Sequence, residues 1–223
     1  MSTRPSRPRA PDVFQTEVGL LQNFCEILSC PTTHEAAIVD PAWEVDLLMR
    51  EVRKRDLRVT KMLITHSHND HIEGVAELAK LTGATIVMNE REASRVRATL
   101  AEQDASFDFV VDGQPIAIGA CEVTALDTPG HTVGATCFLA DGYVITGDVL
   151  FVGGCGRTNF PGGSTQEMWK SLQRLCALPE ETRVYPGHNY GSTATSTIGR
   201  ELLENPYLRC KTFEEFQRLR DRK

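Results

Sequence analysis

Thr65-His66-Ser67-His68-Asn69-Asp70-His71 is the stretch on which the reading of this chain turns. The apolar run Lys61-Met62-Leu63-Ile64 leads straight into it and a helical pattern starts just after, so it lies where a strand ends. His66 and His68 are two residues apart, and an extended backbone directs both to one side. Asp70 and His71 turn with the loop toward the start of the helix. Three imidazoles and a carboxylate crowded into so short a segment are costly to bury without strong partners, and a metal ion meets that demand directly. The competing explanation is a polar loop in which Asn69 or Asp70 caps the next helix, a task that needs no histidine.

Three further segments repeat the same grammar of apolar strand, tight turn and metal-capable side chain. They are Thr128-Pro129-Gly130-His131-Thr132, Thr146-Gly147-Asp148 after Tyr143-Val144-Ile145, and Tyr185-Pro186-Gly187-His188. Each alone is an ordinary turn. With the first stretch they take in five of the chain's 6 histidines; the remaining one, His34, follows Pro31-Thr32-Thr33 and is assigned no role. Two neutral imidazoles and one carboxylate bind a divalent first-row metal and leave positions open for water, oxygen or a substrate sulfur. Of the other candidates, His68, Asp70, His71 and His188 either hold a second metal or orient the ligands of the first by hydrogen bonds.

Around these segments strands alternate with helices. Strands are expected over Asn23–Cys30, Ala36–Asp40, Thr60–Thr65, Thr85–Met88, Cys121–Ala125, Ala135–Ala140, Tyr143–Thr146 and Thr182–Tyr185. Helices are expected over Glu44–Arg55, Ile72–Leu81, Glu90–Glu102, Thr165–Leu178, Thr197–Glu204 and Phe213–Arg222, the first with Val45, Leu47, Leu48 and Val52 on one side. Asp112-Gly113 reads as a hairpin turn. With 223 residues, 41% of them hydrophobic, one core suffices. The expected organisation is a disordered lead at 1–11, with a short targeting remnant as its alternative, and a single domain over 12–223. A net charge of -6 argues against nucleic-acid and anionic-membrane partners. The 7 cysteines are odd in number and lack C-x-x-C spacing, which disfavours a disulfide framework or zinc ribbon and implies a reducing, cytoplasmic setting.

The ordered set H-x-H-x-D-H, P-G-H-T, T-G-D and P-G-H, from His66 to His188, resembles the metallo-β-lactamase superfamily. That resemblance implies an α/β fold, an αββα sandwich of two mixed β-sheets with a metal site at one edge. The chain has no signal peptide of the secreted β-lactamases, no insertion of the RNA-processing members, and His68 where the flavodiiron members have Glu. The glutathione-handling branch is left. Gly154-Cys155-Gly156-Arg157-Thr158-Asn159-Phe160 is similar to the G-C-G-R-T-D-F loop of persulfide dioxygenases, and His188-Asn189-Tyr190 with Ser196-Thr197 is similar to their H-D-Y…S-T segment. Asn205-Pro206-Tyr207-Leu208 and Glu214-Glu215-Phe216 resemble their C-terminus. Asn159 and Asn189 depart from the Asp usual there, and Tyr207 from the Arg of some members. Gly156–Gly163 also resembles a loop of short glyoxalase II proteins, although too few residues follow His188 for the helical domain with which full-length glyoxalase II binds glutathione.

Carried over residue by residue, the resemblance first implies a glutathione-dependent persulfide dioxygenase. His66, His131 and Asp148 would hold one Fe(II) per chain, where O2 and glutathione persulfide react to give sulfite and glutathione. The alternative is a glyoxalase II-type hydrolase of hydroxyacylglutathione thioesters. There His66, His68, Asp70, His71, His131, Asp148 and His188 hold a dinuclear Zn or Fe centre with Asp148 bridging. A catalytically idle metal-binding paralogue is the third reading. Arg157 is a candidate for a glutathione carboxylate and Tyr190 for positioning substrate. Cys155 is a candidate neighbour of the substrate sulfur or a small buried thiol. A homodimer is implied by the resemblance alone.

Overall fold

The structure is a computed structural model and describes residues 9–221. Its first half builds one sheet from β1 (Asp12–Val18), β2 (Asn23–Ser29), β3 (Glu35–Val39), β4 (Arg58–Leu63), β5 (Thr85–Met88) and β6 (Phe107–Phe109), in that spatial order. Its helices are α1 (Val45–Lys54), α2 (Asn69–Ile72), α3 (Val75–Thr82) and α4 (Ala93–Leu100). The second half builds another sheet from β7 (Pro115–Ile118), β8 (Cys121–Asp127), β9 (Thr136–Ala140) and β10 (Tyr143–Gly147). After a ribbon of β11 (Leu150–Phe151) and β12 (Gly154–Cys155) and helix α5 (Thr165–Cys176), that sheet gains β13 (Arg183–Pro186) and β14 (Ser196–Thr197). Helices α6 (Ile198–Glu204) and α7 (Phe213–Arg220) follow. The second sheet runs β14-β13-β10-β9-β8-β7. Both sheets are mixed: β3 to β6 pair in parallel, as do β10 and β13, and the other pairs are antiparallel.

Strand periodicity accounts for the layering. Alternate side chains of a strand face opposite ways, so a strand buried on both faces reads as an apolar run. Ala37, Val39, Leu63 and Val87 of the first sheet meet Ile116, Val123, Ala125, Phe138 and Ile145 of the second in a common core. Their neighbours Ala36, Ile38, Met62 and Ile86 face the other way, onto Val45, Leu48 and Val52 of α1 and Val75 and Leu78 of α3. Behind the second sheet, Cys137, Val144 and Val184 pack on Met168, Leu172 and Leu175 of α5, Ile198 of α6 and Phe216 of α7. The layers are therefore helix, sheet, sheet, helix, the expected αββα sandwich.

Several local expectations change. β1, β6, β7 and the short β11, β12 and β14 were not foreseen. Asp112-Gly113 does not join two paired strands: β6 lies in the first sheet and β7 in the second, and the hairpin is formed by β7 and β8. The helix expected over Ile72–Leu81 breaks between α2 and α3, where Gly74 donates to the Pro41 carbonyl at 2.9 Å; a Cβ there would lie 2.7 Å from Val45. Most of the expected lead at 1–11 falls outside the described residues. Its last residues are tied down: Glu122 donates to the Arg9 carbonyl and Tyr143 Oη to that of Pro11, both at 3.2 Å.

Candidate metal centre

Every predicted ligand lies at one edge of the sandwich, just beyond a strand. His66 and His68 follow β4, and Asp70 and His71 sit in α2. The turn after β8 carries His131, the end of β10 leads to Asp148, and His188 follows β13. Glycines make the approaches possible. A Cβ on Gly130 would fall 2.3 Å from the Met168 backbone, and one on Gly147 would fall 2.4 Å from Thr65. Neither Asn69 nor Asp70 caps α2; both lie inside it, with His68 at the N-cap position and no side-chain cap bond.

The seven side chains converge as two groups. In the first, His68 Nδ1 lies 3.1 Å from His66 Nε2 and 2.9 Å from His131 Nε2, with Asp148 Oδ2 3.3 Å from His131 Nε2. In the second, the Nε2 atoms of His71 and His188 are 3.2 Å apart and lie 3.5 and 3.4 Å from Asp70 Oδ2. Asp148 Oδ1 is 3.3 Å from the first of these nitrogens and 3.4 Å from the second. Asp148 thus turns one oxygen to each group.

The far side of each ring explains why these nitrogens point inward. A carbonyl only accepts, so His131 donates from Nδ1 to the Arg157 carbonyl at 2.7 Å, and His188 donates from Nδ1 to the Leu21 carbonyl at 2.9 Å. His71 donates from Nδ1 to Asp40 at 2.9 Å. Thr65 spends its hydroxyl proton on Asp40 and therefore accepts from His66 Nδ1 at 3.1 Å. In the neutral tautomer each of these four rings presents an Nε2 lone pair to the centre. Lone pairs about 3 Å apart repel unless a cation or proton lies between them. The Asp148 Oδ1 atom, buried and with no hydrogen bond among the described residues, makes the same demand. Imidazole nitrogens and carboxylate oxygens in these numbers suit zinc or iron.

Charge separates the two groups further. Burial lowers the pKa of His66, lowers that of His68 to about 4, and lowers that of His131. Burial acts the same way on His71 and His188, but carboxylates overcome it. Asp148 and Asp40 hold His71 well above its ordinary value, and Asp148 and Asp70 raise His188 to about 9. Burial opposes ionisation of Asp148 and Asp70 in turn, yet the surrounding histidines leave both carboxyls below their usual range.

The two groups open onto a cleft of about 1230 Å³. Of the predicted substrate residues, Tyr190 is 56% exposed and stacks on His188 with ring centroids 4.5 Å apart, so it belongs to the cleft rather than the core. The guanidinium of Arg157 lies over the Phe160 ring at 4.8 Å and donates to Asn159, while its carbonyl orients His131. Cys155 is buried at the cleft wall and its sulfur accepts from Arg220 at 3.3 Å. Arg220, Arg95 and Phe160 also line the cleft and were not singled out from the sequence. Arg220 comes from α7, a whole layer away along the chain. His34 is exposed and hydrogen-bonds the Asp56 carbonyl, away from this edge. No described helix is long and apolar enough to cross a membrane.

Comparison with known proteins identifies the family. The family described as the metallo-beta-lactamase superfamily matches residues 19–188. A Bacillus velezensis protein described as "Probable polyketide biosynthesis zinc-dependent hydrolase BaeB" is 33% identical, over 94% of this chain and 92% of that one. A hydroxyacylglutathione hydrolase of Maricaulis maris is 35% identical over 77% of this chain and 64% of its own length. The crystal structure of ETHE1 from Myxococcus xanthus superposes with a TM-score of 0.84 at 32% identity, covering 94% of this chain and 90% of that one.

Proposed function

The chain belongs to the metallo-beta-lactamase superfamily, whose members are metal-dependent enzymes, and on that premise we propose that it is a two-metal hydrolase of thioesters. The observation that carries this reading is the orientation of the second group. His71 and His188 are each fixed through Nδ1 so that Nε2 faces Asp70 and Asp148, just as His66 and His131 are fixed in the first group. With Nδ1 committed to the Asp40 carboxylate or the Leu21 carbonyl, each Nε2 is left facing two carboxylates, a place where a metal ion can displace the proton it shares with them. The reading therefore gives His66, His68 and His131 to one metal, Asp70, His71 and His188 to the other, and Asp148 to both.

When bound, the metals supply Lewis acidity and lower the pKa of water at the centre. The protein's own groups do the rest. Neutral imidazoles hold their lone pairs inward, and Asp148 balances charge between the two groups. Arg157 and Arg220 stand on the cleft wall where the thiol arm of a substrate would lie, and a guanidinium pairs well with a carboxylate. Glutathione, with two carboxylates, suits that wall, and the likeness to hydroxyacylglutathione hydrolases supports the choice.

A specific observation favours a second reading, glutathione persulfide dioxygenase at one Fe(II) held by His66, His131 and Asp148. It is the likeness to ETHE1 over nearly the whole of both chains, together with the Gly154–Phe160 loop. One experiment separates the two. Freshly purified protein is analysed for metal, then given S-lactoylglutathione while thioester absorbance is followed, and glutathione persulfide while oxygen is followed. The proposal expects two metals and thioester loss with no oxygen uptake. Oxygen consumption that depends on persulfide, with the thioester untouched, would replace it by the dioxygenase. Two bound metals with neither reaction would leave the idle metal-binding reading.

A further inference from the structure

His66 and His68 come from the first half of the sandwich and His131 from the second, so something must fix the distance between their loops. On the two-metal reading, we propose that Glu92 is the positioning residue that sets the three-histidine group. Glu92 ends a short 3-10 turn, Glu90–Glu92, that follows β5 and is capped by Asn89. Its carboxylate is 4% exposed. Oε2 accepts the backbone N–H of Ser67 at 3.0 Å and also the Ser67 hydroxyl. Oε1 accepts the backbone N–H of Gly134 at 2.8 Å. Ser67 stands between His66 and His68, and Gly134 closes the turn that begins at His131. One buried carboxylate therefore bridges the two loops with three charge-assisted hydrogen bonds.

The loop around His131 is shaped to receive this carboxylate. A Cβ on Gly134 would lie 2.8 Å from Glu92 Cγ and 3.0 Å from Oε1, so glycine is what permits the approach. The preceding Arg91 grips the same turn from the side, donating to the Val133 carbonyl at 3.0 Å and to Asp127 at 3.0 Å. The second group is held differently: Asp40 touches His71 directly, and Asn23 donates to Asp70. Glu92 directly contacts only Ser67 and Gly134, beside the first group's histidines, so disturbing it is expected to weaken that site more than the second.

Cobalt(II) titration of metal-stripped protein, followed by visible absorption, tests this. His68→Ala and His188→Ala provide the reference spectra of each site alone. In Glu92→Gln the side chain keeps its shape but offers one acceptor oxygen and turns an NH2 toward either Ser67 or Gly134. The expected result is that cobalt in the three-histidine site binds at least tenfold more weakly with an altered absorption band, while the other site stays within twofold of wild type. Unchanged binding at the first site, or equal weakening at both, would overturn the proposal. Should Glu92→Gln not fold, Ser67→Ala removes only the hydroxyl bond, and a first site weakened about threefold supports the proposal where an unchanged one refutes it. Wild-type protein that takes up a single cobalt would instead remove the two-metal reading, with the effect of Glu92→Gln on that one ion still deciding the role of Glu92.

Discussion

Protons and metals compete for the same lone pairs, and the two groups of ligands differ in how strongly they hold protons. Lowering pH from 8 to 6 is the perturbation, and the second site should respond far more than the first. His188 is raised to about 9 by Asp148 and Asp70, so below that pH it carries a proton that a metal must displace. At pH 7, two units below, this discounts the affinity of the second site by roughly 100-fold, and each further unit downward costs about another tenfold. His71 is raised as well, which steepens the slope. The sign is opposite to that of a lowered group: His68, near 4, and His66, which burial holds well below its ordinary value, carry no proton across this range, and burial lowers His131 in the same direction, so the first site should respond much less. Calorimetric zinc titrations in buffers of different ionisation heat count the protons released. At least one proton should leave with the weaker zinc at pH 7 and close to none with the tighter one. Equal release from both events, or greater release from the tighter one, would refute the assignment of raised histidines to a metal-binding role.

Other substitutions test the remaining parts. Asp148→Ala should abolish retention of both metals, while His68→Ala should lose one, as measured by metal analysis after dialysis; equal single losses would contradict a shared carboxylate. Gly156→Ala should nearly empty the centre of metal, because the new Cβ would fall 1.7 Å from the Asp148 carbonyl and 3.1 Å from His131 Nδ1; metal content equal to wild type would show that the loop yields. Arg220→Ala should raise KM for S-lactoylglutathione by roughly tenfold or more, the loss of one charge-assisted hydrogen bond of ~1.5–3 kcal/mol, with kcat within twofold. Phe216, fully buried, keeps α7 docked in that variant; a fall in kcat without a change in KM would place Arg220 elsewhere in the reaction.

The layered fold was legible because two-faced burial writes itself as apolar runs. β4 ends on Met62-Leu63 and β10 opens on Tyr143-Val144-Ile145, and each leads into a turn that bears a candidate ligand; β5, Thr-Ile-Val-Met, is equally apolar but leads to Glu92. β1 was invisible for the opposite reason. Its sequence Asp-Val-Phe-Gln-Thr-Glu-Val is an edge strand with mostly half-buried side chains, held by the full register of its pairing to β2 rather than by a core of its own. β6 (Phe-Asp-Phe) and β7 (Pro-Ile-Ala-Ile) are too short to show a period, and they join different sheets, β6 beside β5 and β7 beside β8. A D-G turn therefore signals a change of direction at Asp112-Gly113 and carries no information about whether the strands on either side pair.

The candidate ligands were readable because histidine is rare in this chain and five of the six cluster in segments just beyond strands, but the groups that give them their direction were not. Asp40 at the end of β3 and Glu92 in a charged turn look in sequence like the solvated carboxylates of an acidic surface. Both are almost wholly buried, and each has hydrogen-bond donors from distant segments as its only reason to be there. Arg220 is equally silent: in a helix with Arg218 beside it, nothing in the pattern says that one of the two reaches a cleft built by β12 and the loop after it. Sequence thus names atoms able to bind a metal, because ligand chemistry belongs to residue type. What makes four ring nitrogens face one another without collapse is a set of carbonyls and carboxylates on the far side of each ring, and those belong to the fold. Substituting a ligand therefore asks only whether a metal is bound. Substituting Asp40, which reaches His71 directly and His66 through Thr65, should disturb both groups, whereas substituting Glu92 asks whether the first can be disturbed alone, and so tests the assignment where the sequence was silent.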